Sequence, residues 1–165
     1  MRLVAITAIL TLLLDQFSKW FVVFHLRLVD LGMIDVLPPW LTFRMAWNRG
    51  VNFGLFSQDT GVTRWVLIAV AVAISGWALW WLARAPQGRL VRLAGGLLVG
   101  GAIGNVIDRV LYGAVADFLN MSCCGIENPY AFNLADIAIF AGAIGLVLFA
   151  ADAGKSARGK RGKTP

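Results

Sequence analysis

Two aspartates stand out in a chain with only nine acidic residues. Asp117 lies in the segment Gly113–Leu119 (GAVADFL), and Asp136 closes the segment Phe132–Asp136 (FNLAD). Each sits beside a long apolar block, where ionisable groups are costly and usually functional. If those two blocks are neighbours, the carboxylates meet at one end of them. Two nearby carboxylates do not easily ionise together, so one keeps its proton and the other is charged. The charged member is then a general base for water, and the protonated member a general acid for a leaving amine. Such a pair titrates as a coupled unit. Helix capping and surface charge are the plain alternative for any two aspartates, but the scarcity of acids here favours chemistry.

Other polar residues could support that pair. Asn133 precedes Asp136 by three residues, about one helical turn. Asn105, Asp108 and Arg109 share the end of one apolar block, with Asp108 and Arg109 neutral as a unit. They are placed to hold a site together and to hydrogen-bond a peptide carbonyl. Asp15 and Lys19 lie at i and i+4 on one helix face. A self-neutralising structural pair is the favoured reading of these two. The stretch Asn48–Gly54 (NRGVNFG), which includes Gly50, could present backbone groups to an extended peptide or be an ordinary turn.

Competing chemistries find less support. A serine protease needs a base near its nucleophile, and His25 is the only histidine. Ser18 and Lys19 are adjacent and so point from different helix faces. Cys123 and Cys124 are neighbours, unsuited to an ordinary disulfide, and no CxxC or Cys/His ligand spacing occurs. No metal site is expected.

The elements that must position these residues are membrane spans. The chain has 165 residues, 59% of them hydrophobic, and a mean hydropathy of +0.73, well into the membrane class. Crossing a bilayer takes roughly 20 apolar helical residues. Four such blocks are expected, at residues 3–25, 65–82, 93–112 and 134–151, forming a single all-α membrane domain. The first resembles a secretory leader, but it lacks a small-residue cleavage site and reads as a retained span. Arg2, the Arg84–Arg92 connection and a basic tail at residues 152–165 fall on one side, which the positive-inside rule makes cytoplasmic. The net charge of +6 therefore flanks spans, and no nucleic-acid-binding face is expected. The connections near residues 26–64 and 113–133 then face outward. Trp40–Trp47 (WLTFRMAW) is rich in strand formers and predicts a small sheet on the membrane surface, and a short interfacial helix could begin near Ser57–Thr63. Trp40, Trp47, Trp65 and Trp80 suit interfacial positions or simple packing. Gly96, Gly100 and Gly104 recur every four residues, so one face of the third span is predicted to receive another helix closely.

In that order along the chain, the motifs resemble one family, signal peptidase II, the lipoprotein signal peptidases. Asp15–Lys19 (DQFSK) is similar to the family's DQ-x-[ST]-K, and Asn48–Phe56 (NRGVNFGLF) to N-x-G-x-x-F. Gly104–Arg109 (GNVIDR), Val115–Phe118 (VADF) and Phe132–Asp136 followed by Ile137–Ile139 complete the set. The resemblance spans nearly the whole chain. It implies catalytic aspartates at Asp117 and Asp136 and an active site at the periplasmic face of a four-helix bundle in a bacterial inner membrane. It implies a prolipoprotein substrate whose cysteine already carries diacylglycerol, cut just before that cysteine. It implies inhibition by cyclic peptides of the globomycin type, a monomer, and no metal or organic cofactor. Asn48, Gly50, Asn105, Arg109 and Asn133 match residues that line or support the site, while Asp15, Lys19 and Asp108 match motif residues of structural role. Val51 and Asn52 depart from the usual small alanines, and Gly54 from a frequent serine. Two rivals remain: a small transporter or channel with the aspartates as ion sites, and a structural subunit with polar motifs as helix–helix contacts.

Overall fold

A computed structural model describes residues 1–50, 60–84, 87–123, 125 and 128–161. Helix α1 (Arg2–Lys19) runs on as a π-helical stretch, Trp20–His25. A single turn, α2 (Leu28–Leu31), leads into strands β1 (Met33–Leu37) and β2 (Leu41–Asn48). Then come α3 (Thr60–Arg84), α4 (Arg89–Tyr112), β3 (Val115–Met121) and α5 (Leu134–Arg161).

Among the described residues, three helical segments are long and apolar enough to cross a membrane: Arg2–His25, Gly61–Arg84 and Arg89–Tyr112. The apolar part of α5, Leu134–Phe149, is shorter. These helices are apolar around most of their circumference, as lipid requires. On α3, Trp65, Val66, Val70, Val72, Ile74 and Trp77 are all exposed. The second span begins earlier than its hydropathy predicts, because α3 is already helical at Thr60. The predicted interfacial helix is not separate from it over Thr60–Thr63, and Ser57–Asp59 lie outside the described residues. Helix α5 also continues through much of the predicted basic tail, to Arg161.

The glycine spacing does what it predicts. Helix α4 packs against α1, α3 and α5. A Cβ at Gly96 would lie 2.5 Å from Thr7 Cβ, one at Gly100 2.5 Å from the Ala8 carbonyl oxygen, and one at Gly104 2.5 Å from an Asp15 carboxylate oxygen. That stripe receives α1. Gly101, beside it, receives α5, where a Cβ would meet the Ala135 carbonyl oxygen at 2.5 Å. In lipid, such close approach is a main source of helix association. Gly100→Ala is therefore expected to destabilise the protein by about 1–3 kcal/mol, measured by thermal unfolding in detergent. Gly76→Ala, where a Cβ meets nothing within 4 Å, should be neutral or stabilising. Equal stability of the two variants would rule out the close-packed α1–α4 face.

The sheet is antiparallel in the order β1–β2–β3. The predicted strand at Trp40–Trp47 is β2. Strand β3 was not legible as a strand: it carries Asp117 and Asn120 in an otherwise apolar run. One face of the sheet, through Phe118 and Ala116, packs with Val22, Val23 and Leu28 at the end of the first helix. Phe43 meets Phe118 edge-on, with ring centroids 5.8 Å apart. This small core fixes the sheet against the helices, and Asp117 points from the opposite face of β3.

Candidate active site

Four elements, α4, β2, β3 and α5, converge on the two aspartates. Helix α4 ends at Gly113, whose φ of +77° is the left-handed cap conformation that glycine adopts without strain. The chain turns there directly into β3. In the β2–β3 register Ala46 lies opposite Asp117, and Asn48, two residues on, is the diagonal neighbour on the same face. Asn48 Nδ2 donates to Asp117 Oδ2 at 3.1 Å, and Asn48 Oδ1 accepts from the Gly50 N–H at 3.1 Å.

Asp136 is set by the start of α5. Asn133 caps the helix: its Oδ1 accepts from the Asp136 N–H at 2.9 Å, and its own N–H donates to Asp136 Oδ2 at 3.2 Å. This reciprocal pair is a capping box, with aspartate in the place usually held by glutamate or glutamine. The Asn133 side chain meanwhile donates from Nδ2 to Asp117 Oδ1 at 2.6 Å. One residue thus holds both carboxylates. Asn105 Nδ2 supplies the other donor to Asp136, 2.9 Å from Oδ1.

Asp117 is buried, only 3% exposed, whereas Asp136 is partly open. Burial, and then the negative charge of Asp136, push the Asp117 carboxyl up to about 7. Hydrogen bonds from Asn48 and Asn133 oppose that rise, as does Lys19. Near neutrality Asp117 therefore readily carries a proton.

Behind this pair lies a buried polar network. Lys19 Nζ is 2.8 Å from Asp15 Oδ2, 2.8 Å from Asp108 Oδ2 and 3.3 Å from Asn105 Oδ1, which uses all three ammonium donors. Asp15 Oδ1 accepts the Ala135 N–H at 2.9 Å, and Asp108 Oδ2 accepts the Ala116 N–H at 3.2 Å. The network therefore anchors the residues just before both site aspartates. Asp108 and Arg109, neutral as a unit in the sequence, direct their polar atoms to different partners. Consecutive helix residues point in different directions, so Asp108 pairs with Lys19, while Arg109 Nη1 donates to the Asn105 carbonyl at 3.2 Å. Arg109 stands in the field of Asp136, Asp117 and Asp108, and its buried Nε has no hydrogen-bond partner among the described residues.

All ten residues singled out from the sequence fall within this site or its support. Gln16 did not register as a separate group, yet its Nε2 donates to Asp108 Oδ1 at 2.9 Å and to Asp15 Oδ2 at 3.1 Å. Its place between Asp15 and Lys19 in the DQFSK motif was the only hint. Asn120 was also missed: it fixes the segment after β3 by donating to the Asn128 and Tyr130 carbonyls at 2.7 and 2.8 Å. Val51, Asn52 and Gly54 lie outside the described residues, as does Cys124, while Cys123 is exposed.

Comparison with known proteins shows the family. Residues 7–151 match the family described as signal peptidase (SPase) II. The chain is 46% identical over 146 residues to a lipoprotein signal peptidase of Methylorubrum extorquens (strain PA1), covering 87% of this chain and 82% of that protein. It is 46% identical over 140 residues to one of Methylobacterium radiotolerans, covering 85% and 80%. A solved structure described as a bacterial membrane enzyme superimposes with a TM-score of 0.75 at 25% identity, covering 88% of this chain and 90% of that one. Another so described gives 0.73 at 26% identity, over 88% and 85%. Likeness across that much of the sequence leads to one assignment: the chain belongs to the signal peptidase II family.

Proposed function

We propose that this protein is a membrane aspartic endopeptidase that removes signal peptides from diacylglyceryl-modified prolipoproteins, with Asp117 and Asp136 as its catalytic pair. The observation that carries the reading is the double role of Asn133, which donates to Asp117 from its side chain and to Asp136 from its backbone. Two carboxylates so linked share one proton near neutrality. The charged form draws a proton from water as it attacks the scissile carbonyl, and the retained proton passes to the departing amine. Arg109 places positive charge beside the pair. Asp15, Lys19, Gln16 and Asp108 act as scaffold.

The aspartates stand on β3 and in the first turn of α5, at one end of the bundle. An ion path favours acids deep within spans, so transport fits less well. The same placement supports four crossings, both termini cytoplasmic, and a site at the periplasmic face of a bacterial inner membrane. At 1.5 Å per residue the apolar part of α5 spans about 24 Å, and Ala150 and Ala151 extend it. A lipid-anchored substrate then keeps its acyl chains in the bilayer and presents its peptide bond at the surface, and a monomer suffices.

The test is incubation of the purified protein with a diacylglyceryl-modified prolipoprotein, with products read by mass spectrometry. Cleavage immediately before the lipidated cysteine is expected, blocked by a globomycin-type cyclic peptide. An inert protein on a verified substrate, or cleavage elsewhere, sinks the proposal. The turn beginning at Asn48 is expected to cover the bound peptide. Asn48→Ala removes one of the two side-chain hydrogen bonds that hold the Asp117 carboxyl, so turnover should fall about ten- to a hundredfold. Gly50→Ala places a Cβ 2.8 Å from Thr63 Cγ2 at a φ of +146° and should weaken inhibitor binding as well. If both variants kept wild-type turnover and inhibitor affinity, this covering role would be wrong.

A further inference from the structure

We propose that Arg64, in the second turn of α3, is a positioning residue that clamps the two elements gripping Asp117. Its guanidinium Nη2 donates to the Val110 carbonyl at 2.8 Å. Val110 lies in the last turn of α4, where carbonyls lack helical partners and the helix dipole favours a cation. Nη1 lies beside Gly113, 3.7 Å from where a Cβ would stand. The guanidinium also sits over the Trp65 ring, 5.3 Å from its centroid, and its buried Nε has no hydrogen-bond partner. Arg64 thus bears directly on the turn that delivers β3, and Asp117 with it. On its other side, the start of α3 is the surface against which Gly50 rests, through Thr63 and Leu67. Gly50 in turn donates its N–H to Asn48, the residue that donates to Asp117. Loosening Arg64 therefore lets the Asn48 amide and the Asp117 carboxyl drift apart.

The inference rests on the aspartyl-dyad reading above. Its readout is the pH profile of kcat/KM for cleavage of a lipidated prolipoprotein by the purified full-length protein. The alkaline limb reports loss of the dyad's proton. Asn48 favours charged Asp117, so losing that contact moves the limb to higher pH. The other charged groups around Asp117, namely Asp136, Lys19 and Arg109, stay in every variant compared. Arg64→Gln is expected to lower kcat about tenfold, with KM little changed, and to move the limb upward as Asn48→Ala does. The double variant should show no more shift than Asn48→Ala alone. Arg64→Lys, which can still reach Val110, should recover part of the activity, and it carries the test if Arg64→Gln does not fold. Arg84→Gln removes a comparable cation–aromatic contact, to Trp80 at the far end of α3, and should leave the profile unchanged.

A wild-type limb in the Arg64 variants, additive shifts in the double variant, or an equal loss in Arg84→Gln would each overturn the inference. The dyad reading fails separately, if Asp117→Asn or Asp136→Asn still cleaves.

Discussion

Asp117→Asn and Asp136→Asn each lower cleavage of a lipidated prolipoprotein by about ten-thousandfold or more, the scale on which single members of a catalytic unit act, while the protein stays folded. Asparagine keeps the shape of the side chain and one oxygen acceptor, so Asn133 can still donate to position 117, and an asparagine at 136 can still complete the cap. What is lost is the ability to take up and release a proton. At position 117 the substitution also replaces a carboxyl raised to about 7 by burial and by Asp136 with a group that never ionises. Activity of the wild type should accordingly fall as pH rises above about 7, as the dyad loses its proton. Rates from mass spectrometry, paired with thermal unfolding in detergent, separate chemistry from assembly. If instead the variants cleave normally and merely melt earlier, the aspartates serve as helix contacts and the structural-subunit reading returns.

The second large effect is on stability. Lys19→Met leaves Asp15 and Asp108, 0% and 1% exposed, buried without their cation. Removing one partner of a buried ion pair costs about 3–5 kcal/mol, because the remaining charge has no water to return to. Here one lysine serves two carboxylates, so the upper part of that range is expected, with a correspondingly lower unfolding temperature. The triple variant Asp15→Asn, Lys19→Met, Asp108→Asn should recover much of the loss. Its amide oxygens can still accept from the Ala135 and Ala116 N–H groups, and no buried charge remains in the set. Wild-type stability in Lys19→Met would mean that this cluster is incidental to the fold.

What could be read from the chain divides along physical lines. Properties set by local periodicity were legible: the apolar helices, the close-packed face of α4 from Gly96, Gly100 and Gly104, and the strand β2. So was the placement of Asp117 and Asp136 near the ends of apolar helices, where carboxylates are rare and costly. Asn133 was noticed for its spacing from Asp136, which is the spacing a capping box needs. Properties that depend on which helix neighbours which were not legible. Lys19 reaches Asp108 only because α1 lies along α4. Strand β3 was missed because a buried run interrupted by Asp and Asn has no clear alternation, and its pairing to β2 comes from far along the chain. Arg64 gave no signal either: a basic residue at the start of a span reads as an interfacial anchor until its contact with Val110 is seen.

The hydrogen bond from the Ala135 N–H to Asp15 joins the first helix to the beginning of the last, 120 positions apart in the chain. A ribosome releases these partners at widely separated times. While α1, α3 and α4 are already emerging, Asp15 has no Ala135 to hold, and Asp136 does not yet exist. With Asp117 and Asp136 as the catalytic pair proposed above, the nascent chain is inert until the closing helix docks. On that reading, hydrolytic competence and completed assembly arrive in a single event.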